Sequence, residues 1–203
     1  MSRRGFPVVL SAASGTGKTT LAHMLLDGDR DLFLSVSFTT RSPRGEERNG
    51  VDYHFIEDSA FREMADRGAF LEWAEVHGNL YGSSAEWTES QLEEGRDVLF
   101  DIDVQGGQQI KSHFPEACLI FLVPPSMEEL EKRLRGRGTD DAAVIDKRLH
   151  AARAEIERGL ELYDYVITND RLDRALFDVT SIVRAHRLKG LRRERIRERL
   201  LGA

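Results

Sequence analysis

The stretch that decides the fold is Ala12–Thr19, which reads Ala-Ala-Ser-Gly-Thr-Gly-Lys-Thr. It follows the apolar run Pro7–Leu10 and leads into a segment with helical periodicity. Small residues allow backbone N–H groups to turn toward phosphate oxygens, and the charge of Lys18 can reach a transferable phosphate. The hydroxyl of Thr19 can ligate Mg²⁺. The pattern therefore predicts a nucleoside triphosphate site at a strand-to-helix turn.

This phosphate loop resembles a Walker A motif with one departure. Ala12 stands where that pattern has its first glycine, so the prediction rests on Ser14–Thr19 and on the strand-to-helix setting. The alternative is a turn that only connects a strand to a helix, which the Gly-Lys-Thr ending disfavours. The residues predicted to bind the nucleoside triphosphate are Ala13, Ser14, Gly15, Thr16, Gly17, Lys18, Thr19 and Thr20.

Length and composition narrow the class of protein. A chain of 203 residues suits one domain with inserted lobes, able to bury about 70% of its unfolded surface. The single cysteine, Cys118, lies in an apolar run and suits a core position, so no disulfide or thiolate metal site is expected. No run approaches the roughly 18 apolar residues of a membrane span, and no signal-peptide core precedes the first strand. We expect a cytoplasmic protein without a membrane partner.

The charge distribution is uneven. A net charge of −6 argues against general nucleic-acid binding. Arginines are nevertheless concentrated in Arg184–Arg199, where apolar residues recur at roughly helical spacing, at Leu188, Leu191, Ile196 and Leu200. We interpret this stretch as an amphipathic C-terminal helix with a solvated basic face, in preference to an RNA or membrane surface. Whether the chain forms a homo-oligomer through this helix stays open.

Apolar runs at Pro7–Leu10, Val98–Ile102 and Leu119–Val123 alternate with helical patterns, and Tyr165–Thr168 adds a last strand. This alternation predicts an α/β fold, a mainly parallel sheet flanked by helices on both faces. Ligands bind such sheets at the carboxyl ends of the strands. The phosphate loop and Asp101–Asp103 should therefore converge on one crevice.

Two segments interrupt the alternation. Short alternating pieces between Ser35 and Tyr81 flank a polar turn at Arg44–Gly50 and predict a small β-rich lobe. The arginine- and glycine-bearing stretch Arg133–Asp141, between two helical segments, predicts a mobile lid. We expect one domain over residues 1–203, with a core at about 1–34, 84–125 and 160–203, the lobe at about 35–83 and the lid at about 126–159.

Five blocks of sequence together resemble guanylate kinase. They are residues 35–44 (Ser-Val-Ser-Phe-Thr-Thr-Arg-Ser-Pro-Arg), 49–53, 70–74, 78–83 and 101–106, in the order of the family. The resemblance runs from about Val8 to Asp170, with departures at Phe38, Leu80 and Gly107 that bear on packing and local flexibility. It implies a P-loop kinase fold with an inserted GMP-binding lobe and a short helical lid. The implied reaction is in-line transfer from ATP to GMP, giving ADP and GDP, with Mg²⁺.

The resemblance also implies which residues bind GMP. Guanine would contact Ser37, Glu72, Ser83 and Asp103, and the GMP phosphate would contact Arg41, Arg44, Tyr53 and Tyr81. The chemistry agrees, because a carboxylate such as Glu72 matches the N1–H and N2–H₂ donors of guanine, and the hydroxyl of Ser37 or Ser83 can donate to O6. Adenine accepts at N1 and would face Glu72 with no proton between them. Arg41 and Arg44, on either side of Pro43, can present two guanidinium groups to one anion.

The catalytic residues carried over from the resemblance are Lys18, Arg41, Asp101, Arg137 and Arg148, with Arg133 as a further candidate. Asp101, at the end of its strand, would hold metal-bound water or orient the acceptor, and Thr19 would ligate the metal directly. Asn169 and Asp170 follow the last strand and either approach adenine or cap the next helix. No covalent intermediate is expected.

There are three alternatives to this function. Another nucleoside monophosphate kinase is the nearest alternative. A regulatory GTPase would need an Asn-Lys-x-Asp segment to read guanine, and Thr168–Arg171 does not supply one. A non-catalytic interaction module of this fold would typically lose the phosphate-loop lysine or its glycines, whereas Gly15, Gly17 and Lys18 are present.

Overall fold

The computed structural model describes residues 3–76, 78–136, 142–189, 197 and 199–202. The described strands are β1 (Pro7–Ala12), β2 (Leu32–Leu34), β3 (Phe38–Thr39), β4 (His54–Phe55), β5 (Phe70–Val76), β6 (Asn79–Ser84), β7 (Asp97–Asp101), β8 (Cys118–Val123) and β9 (Tyr165–Thr168). The described helices are α1 (Lys18–Gly28), α2 (Asp58–Asp66), α3 (Ala85–Glu93), α4 (Val104–His113), α5 (Met127–Gly136), α6 (Ala142–Leu162) and α7 (Leu172–Leu188).

The central sheet has the strand order β2-β7-β1-β8-β9, and all its described pairings are parallel. The four apolar runs predicted as strands all lie in it, and the short strand β2 joins them at one edge. In the register, Leu10 of β1 lies opposite Asp101 of β7. The end of β7 therefore lies beside the strand that leads into the phosphate loop.

Strand β1 is buried on both faces, which is why its run is continuously apolar. Val8 and Leu10 pack with α1 and α7 on one face, and Val9 packs with α3 and α4 on the other. Cys118, on β8, is fully buried in the first of these clusters, as its apolar setting predicted. Helices cover both faces of the sheet, as expected.

A second sheet, of order β4-β3-β6-β5, carries the inserted segment. Helix α2 covers it through Phe61, which is fully buried and stacks on Phe70 with ring centroids 4.5 Å apart. Gly82 has no room for a side chain there, since a Cβ would lie 3.0 Å from both rings. The sequence predicted this small β-rich unit.

Helices α5 and α6 pack against the phosphate loop. Leu130 and Leu134 of α5 form one buried cluster with Ala13 of the loop and Ile145 of α6. The prediction that Arg133–Asp141 lies between two helical segments is wrong at its start, because α5 continues through Gly136. The buried contacts of Leu134 hold that last turn in helical form, and residues 137–141 lie outside the described part.

The predicted C-terminal helix is only partly described. Arg184–Leu188 belong to the longer helix α7, which is held by Ala175, Val179 and Val183, and the helix ends before Lys189. Leu191 and Ile196 lie outside the described residues, and Leu188 and Leu200 are exposed. None of the described helices is long and apolar enough to cross a membrane.

Candidate active site

The phosphate loop lies between the end of β1 at Ala12 and the start of α1 at Lys18. Gly15 and Gly17 have φ values of 91° and 98°, a region that side chains rarely adopt. A Cβ at Gly15 would also lie 2.9 Å from Leu134 of α5. Ala12 is the last residue of β1, so this loop does not need a glycine there.

Lys18 contacts the end of the neighbouring strand. Its ammonium donates to the carbonyl oxygen of Ile102 at 3.1 Å and forms an ion pair with Asp101. The register of β1 beside β7 explains this contact, because it places the end of β7 next to the loop. A phosphate group bound in the loop would compete with Asp101 for this ammonium.

Thr19 and Asp101 line one cavity of about 300 Å³ together with Ser37, Glu47 and Tyr53. A hydroxyl and a carboxylate are hard oxygen donors, and Mg²⁺ binds proteins through one or two such groups plus water and phosphate oxygens. Among the described residues, no group of three or more His, Cys, Asp or Glu could hold a metal by itself. The donor set thus fits a cation that arrives with a phosphate.

An adjoining cavity of about 200 Å³ is lined by ten residues, among them Lys18, Ser37, Tyr53, Glu72, Tyr81, Asp101 and Asp103. Glu72 is only 4% exposed. Burial raises the pKa of Glu72 to about 7, the hydrogen bond from Ser83 lowers it, and the charge of Asp103 adds to the rise. Glycine at position 106 leaves room for the carboxylate of Glu72, because a Cβ on residue 106 would lie 2.7 Å from one of its oxygens.

The two serines predicted to contact guanine, Ser83 and Ser37, differ in burial and in their contacts. Ser83 is fully buried and donates its hydroxyl proton to Glu72 at 2.6 Å. While that bond persists, Ser83 has no proton to donate to guanine O6. Ser37 is half-buried and lines both cavities. Asp103 lines the cavity that contains Glu72, and its carboxylate caps α4 by accepting from the N–H of Gly106 at 2.8 Å.

The predicted phosphate-binding residues converge on Arg41. Arg41 is 8% exposed, and its guanidinium carbon lies 5.2 Å from the ring centroid of Tyr53, which is 6.0 Å from the ring centroid of Tyr81. Glu47 accepts two hydrogen bonds of 2.9 Å from Arg41. Arg44 is exposed, and only its backbone N–H joins this group, donating to Glu47 at 2.8 Å. The sequence predicts that Arg41 and Arg44 present two guanidinium groups to one anion. In the structure the guanidinium of Arg41 is instead held by the carboxylate of Glu47, and the guanidinium of Arg44 does not join it.

Two of the arginines predicted for the lid, Arg133 and Arg148, lie on different helices, α5 and α6. Arg148 lies half-buried on α6, and Arg137 lies outside the described residues. Arg133 donates to Glu129 and to the carbonyl oxygen of Asn169, both at 3.2 Å. Asn169 in turn donates to the carbonyl oxygen of Thr16 at 2.7 Å. Asn169 thus supports the phosphate loop, and the residue that precedes α7 as its cap is Arg171.

The sequence profile of the guanylate kinase family matches residues 4–186. The chain belongs to the guanylate kinase family. It is 56% identical over 177 residues to the guanylate kinase of Dechloromonas aromatica, covering 87% of each chain. It is 52% identical over 198 residues to that of Myxococcus xanthus, covering 98% of this chain and 93% of the relative. Both relatives are kinases, which confirms the enzyme class expected from the sequence.

A solved structure of this family confirms the predicted fold. The crystal structure of guanylate kinase from Anaplasma phagocytophilum superposes with a TM-score of 0.82 at 32% sequence identity. The match covers 100% of this chain and 98% of that one. The α/β architecture described above, with its parallel sheet and helical layers, is therefore the P-loop kinase fold of guanylate kinases.

The sequence does not predict two contacts of the candidate site. The sequence places Glu47 in a polar turn, and its partner Arg41 lies six residues earlier, a spacing at which a turn can bring two side chains together. For Asn169 the sequence suggests an approach to adenine or a helix cap, whereas the structure shows a hydrogen bond to the phosphate loop. Its partner, Thr16, is 153 residues away, and no local pattern connects them.

Proposed function

We propose that this chain transfers the γ-phosphoryl group of ATP to a phosphate oxygen of GMP, reversibly, giving ADP and GDP. The observation that carries the proposal is that one cavity contains both the buried carboxylate of Glu72 and the ammonium of Lys18. The carboxylate of Glu72 can accept from N–H donors on the edge of a purine, and the ammonium of Lys18 can bind a phosphate. The acceptor and the transferable group would thus meet in one crevice.

Glu72 would select the base. When ionised, its carboxylate accepts from N1–H and N2–H₂ of guanine, while adenine would leave it facing an acceptor nitrogen. Ser83 would keep Glu72 oriented, and Ser37 and Asp103 would complete the contacts with guanine. A site of this kind can reject the wrong base by roughly 10⁴-fold when buried groups are left unpaired.

Arg41, Tyr53 and Tyr81 would bind the phosphate of GMP, with Arg44 at the exposed edge. The incoming phosphate has to displace Glu47 from the guanidinium, since both anions use the same N–H groups. A dianionic phosphate is the stronger acceptor, and a cation–π contact with Tyr53 keeps Arg41 in place during the exchange.

The phosphate loop would bind ATP through Ala13–Thr20. Its backbone N–H groups and the start of α1 favour phosphate oxygens, and Lys18 would leave Asp101 for the transferable group. Thr19 and Asp101 would hold Mg²⁺, Asp101 through water, and the metal would supply positive charge to the phosphates. Arg137 and Arg148 would add guanidinium contacts to the transferred group, and direct transfer requires no protein nucleophile.

The domain limits given above complete the proposal. A core, a GMP-binding lobe at about 35–83 and a lid at about 126–159 would close over the two nucleotides and exclude water. A cytoplasmic location remains a prediction, and whether a homo-oligomer forms through the C-terminal helix remains open. Solution scattering should show compaction when GMP and a non-hydrolysable ATP analogue are added together.

One coupled assay tests the proposal against the nearest alternative, another nucleoside monophosphate kinase. The purified chain is given Mg-ATP with GMP, AMP, CMP or UMP, and ADP release is followed. We expect turnover with GMP that far exceeds turnover with the other three. Equal rates with AMP and GMP, or no consumption of ATP with GMP, would refute the proposed function.

A further inference from the structure

Tyr163 connects the end of the lid helices to the strand that carries the phosphate loop. It directly follows α6, is 8% exposed, and its hydroxyl lies 2.6 Å from the hydroxyl oxygen of Ser11. Ser11 is fully buried on β1, one residue before the strand ends at Ala12. The two hydroxyl groups thus meet beneath the candidate active site, although they are 152 residues apart in the sequence.

The other contacts of Ser11 determine the direction of this hydrogen bond. Its hydroxyl oxygen lies 2.8 Å from the carbonyl oxygen of Ile102 and 3.2 Å from that of Asp103. A carbonyl oxygen only accepts, so the single hydroxyl proton of Ser11 is directed at these carbonyls. Tyr163 is therefore the donor to Ser11. Burial raises the pKa of Tyr163, which keeps that donor protonated.

The carbonyl of Ile102 is shared with Lys18, which donates to it at 3.1 Å. In the proposed reaction Lys18 moves to a phosphate group, and the carbonyl loses this donor. The hydroxyl of Ser11, oriented by Tyr163, remains. Of the two side chains that donate to the carbonyl of Ile102 within the described residues, Ser11 thus stays while Lys18 leaves.

We propose that Tyr163 and Ser11 are positioning residues for the Asp101–Asp103 connection. Asp101 faces the proposed phosphate and metal side, and Asp103 faces the proposed guanine side, so a small displacement of Ile102 would move both. This inference rests on the proposed function, since it concerns residues that would serve GMP and ATP. Neither Tyr163 nor Ser11 is placed in contact with a substrate.

Gly107 provides an independent observation. A Cβ at this position would lie 2.0 Å from the Tyr163 hydroxyl oxygen and 2.9 Å from the ring carbon that carries it. The hydroxyl therefore occupies the space that a side chain at position 107 would need. Glycine at 107 and tyrosine at 163 are complementary in this chain.

The test compares Tyr163→Phe, Ser11→Ala and the double variant with the unaltered chain. Binding of GMP alone is measured by calorimetry, and kcat is measured with saturating Mg-ATP and GMP. We expect each single variant to weaken GMP binding and to lower kcat by about five- to tenfold, the worth of one buried hydrogen bond. Because both residues act through one chain of bonds, the double variant should lose about as much as either single variant.

Tyr165→Phe is the matched control. It removes a hydroxyl two residues away, in a cavity lined by Lys111, Asp164 and His186 rather than by the site residues. Both readouts should match those of the unaltered chain. Gly107→Ala should shift GMP affinity and kcat in the same direction as Tyr163→Phe, because its methyl group displaces the hydroxyl.

Unaltered GMP affinity and kcat in Tyr163→Phe would overturn the inference, and so would a fall confined to the free energy of unfolding. If Tyr163→Phe does not fold, the GMP affinity and kcat of Ser11→Ala test the inference in its place. Failure of the proposed function has a different signature, because the unaltered chain itself would then not phosphorylate GMP.

Discussion

The carboxylate of Glu47 accepts two hydrogen bonds from the guanidinium of Arg41, each 2.9 Å long. The pair lies where the phosphate of the acceptor nucleotide is proposed to bind, beside Tyr53. Arg41 holds the pKa of Glu47 below its usual value, so the carboxylate remains ionised in weak acid. The carboxylate of Glu47 thus occupies the guanidinium of Arg41 that would bind the phosphate of GMP.

Glu47→Gln should therefore tighten the binding of GMP. The amide is a weaker competitor for Arg41, and we expect about a fivefold lower dissociation constant, corresponding to about 1 kcal/mol. Guanosine, which has no phosphate, should bind both forms equally. Calorimetric titration with the two ligands measures the difference. Weaker GMP binding by Glu47→Gln would mean that Glu47 supports the bound phosphate instead of competing with it.

Lys18→Ala should lower kcat by about 10²- to 10³-fold, because the transferred group loses a positioned charge, while GMP affinity changes little. The matched control is Lys111→Ala, which removes a lysine paired with Asp164 outside the two site cavities. Its kcat should equal that of the unaltered chain. A steady-state assay at saturating nucleotides checks both, and normal turnover by Lys18→Ala would exclude the role assigned to this residue.

Glu72 should make guanosine binding depend on pH. The raised pKa of about 7 means that half of the free protein carries a protonated Glu72 at that pH. The base needs the ionised form, so affinity should rise by up to about tenfold per pH unit below pH 7 and level off above it. Titrations between pH 5.5 and 8.5 measure this, with Glu72→Gln as the variant that should bind weakly at every pH. A flat profile for the unaltered chain would contradict the assignment.

The same carboxyl group should affect stability. Its pKa in the folded state, about 7, exceeds the ordinary value of 4.5, so the folded chain binds more protons than the unfolded chain between these values. The stabilisation is fully present below pH 4.5 and is lost as the pH rises through 7. Glu72→Gln should therefore gain roughly 3 kcal/mol relative to the unaltered chain between pH 4.5 and pH 8. Urea unfolding at both pH values checks the sign.

Asp97→Asn should destabilise the fold strongly. Asp97 is fully buried and accepts from Arg3 at 2.7 and 2.8 Å and from Arg187 of α7 at 2.5 Å. Removing its charge leaves two guanidinium groups without their common partner, at a cost of about 3–5 kcal/mol. Glu94→Gln is the control, since Glu94 pairs with Arg96 at the surface and should cost less than about 1 kcal/mol. Urea denaturation of both variants measures the difference.

The sequence predicted the elements whose causes are local. The continuous apolar runs of β1, β7 and β8 indicated a buried parallel sheet, because each strand is covered on both faces. The glycines of the phosphate loop indicated a turn that side chains would not allow. The sequence does not predict the end of α5, because the two arginines and the glycine of Arg133–Gly136 suggest a loop, while the buried contact of Leu134 keeps the last turn helical.

By itself, the sequence determined the phosphate loop, the parallel core, the inserted β lobe and the family, since these depend on residue types at short spacings. Only the tertiary structure decided which groups meet: Lys18 with Ile102, 84 residues apart, and Tyr163 with Ser11, 152 residues apart. It also showed that the proton of Ser83 goes to Glu72 and the guanidinium of Arg41 to Glu47. The physical reason is that a hydrogen bond depends on the distance between two atoms in space. The number of residues between two positions does not determine that distance, because it depends on how strands and helices pack.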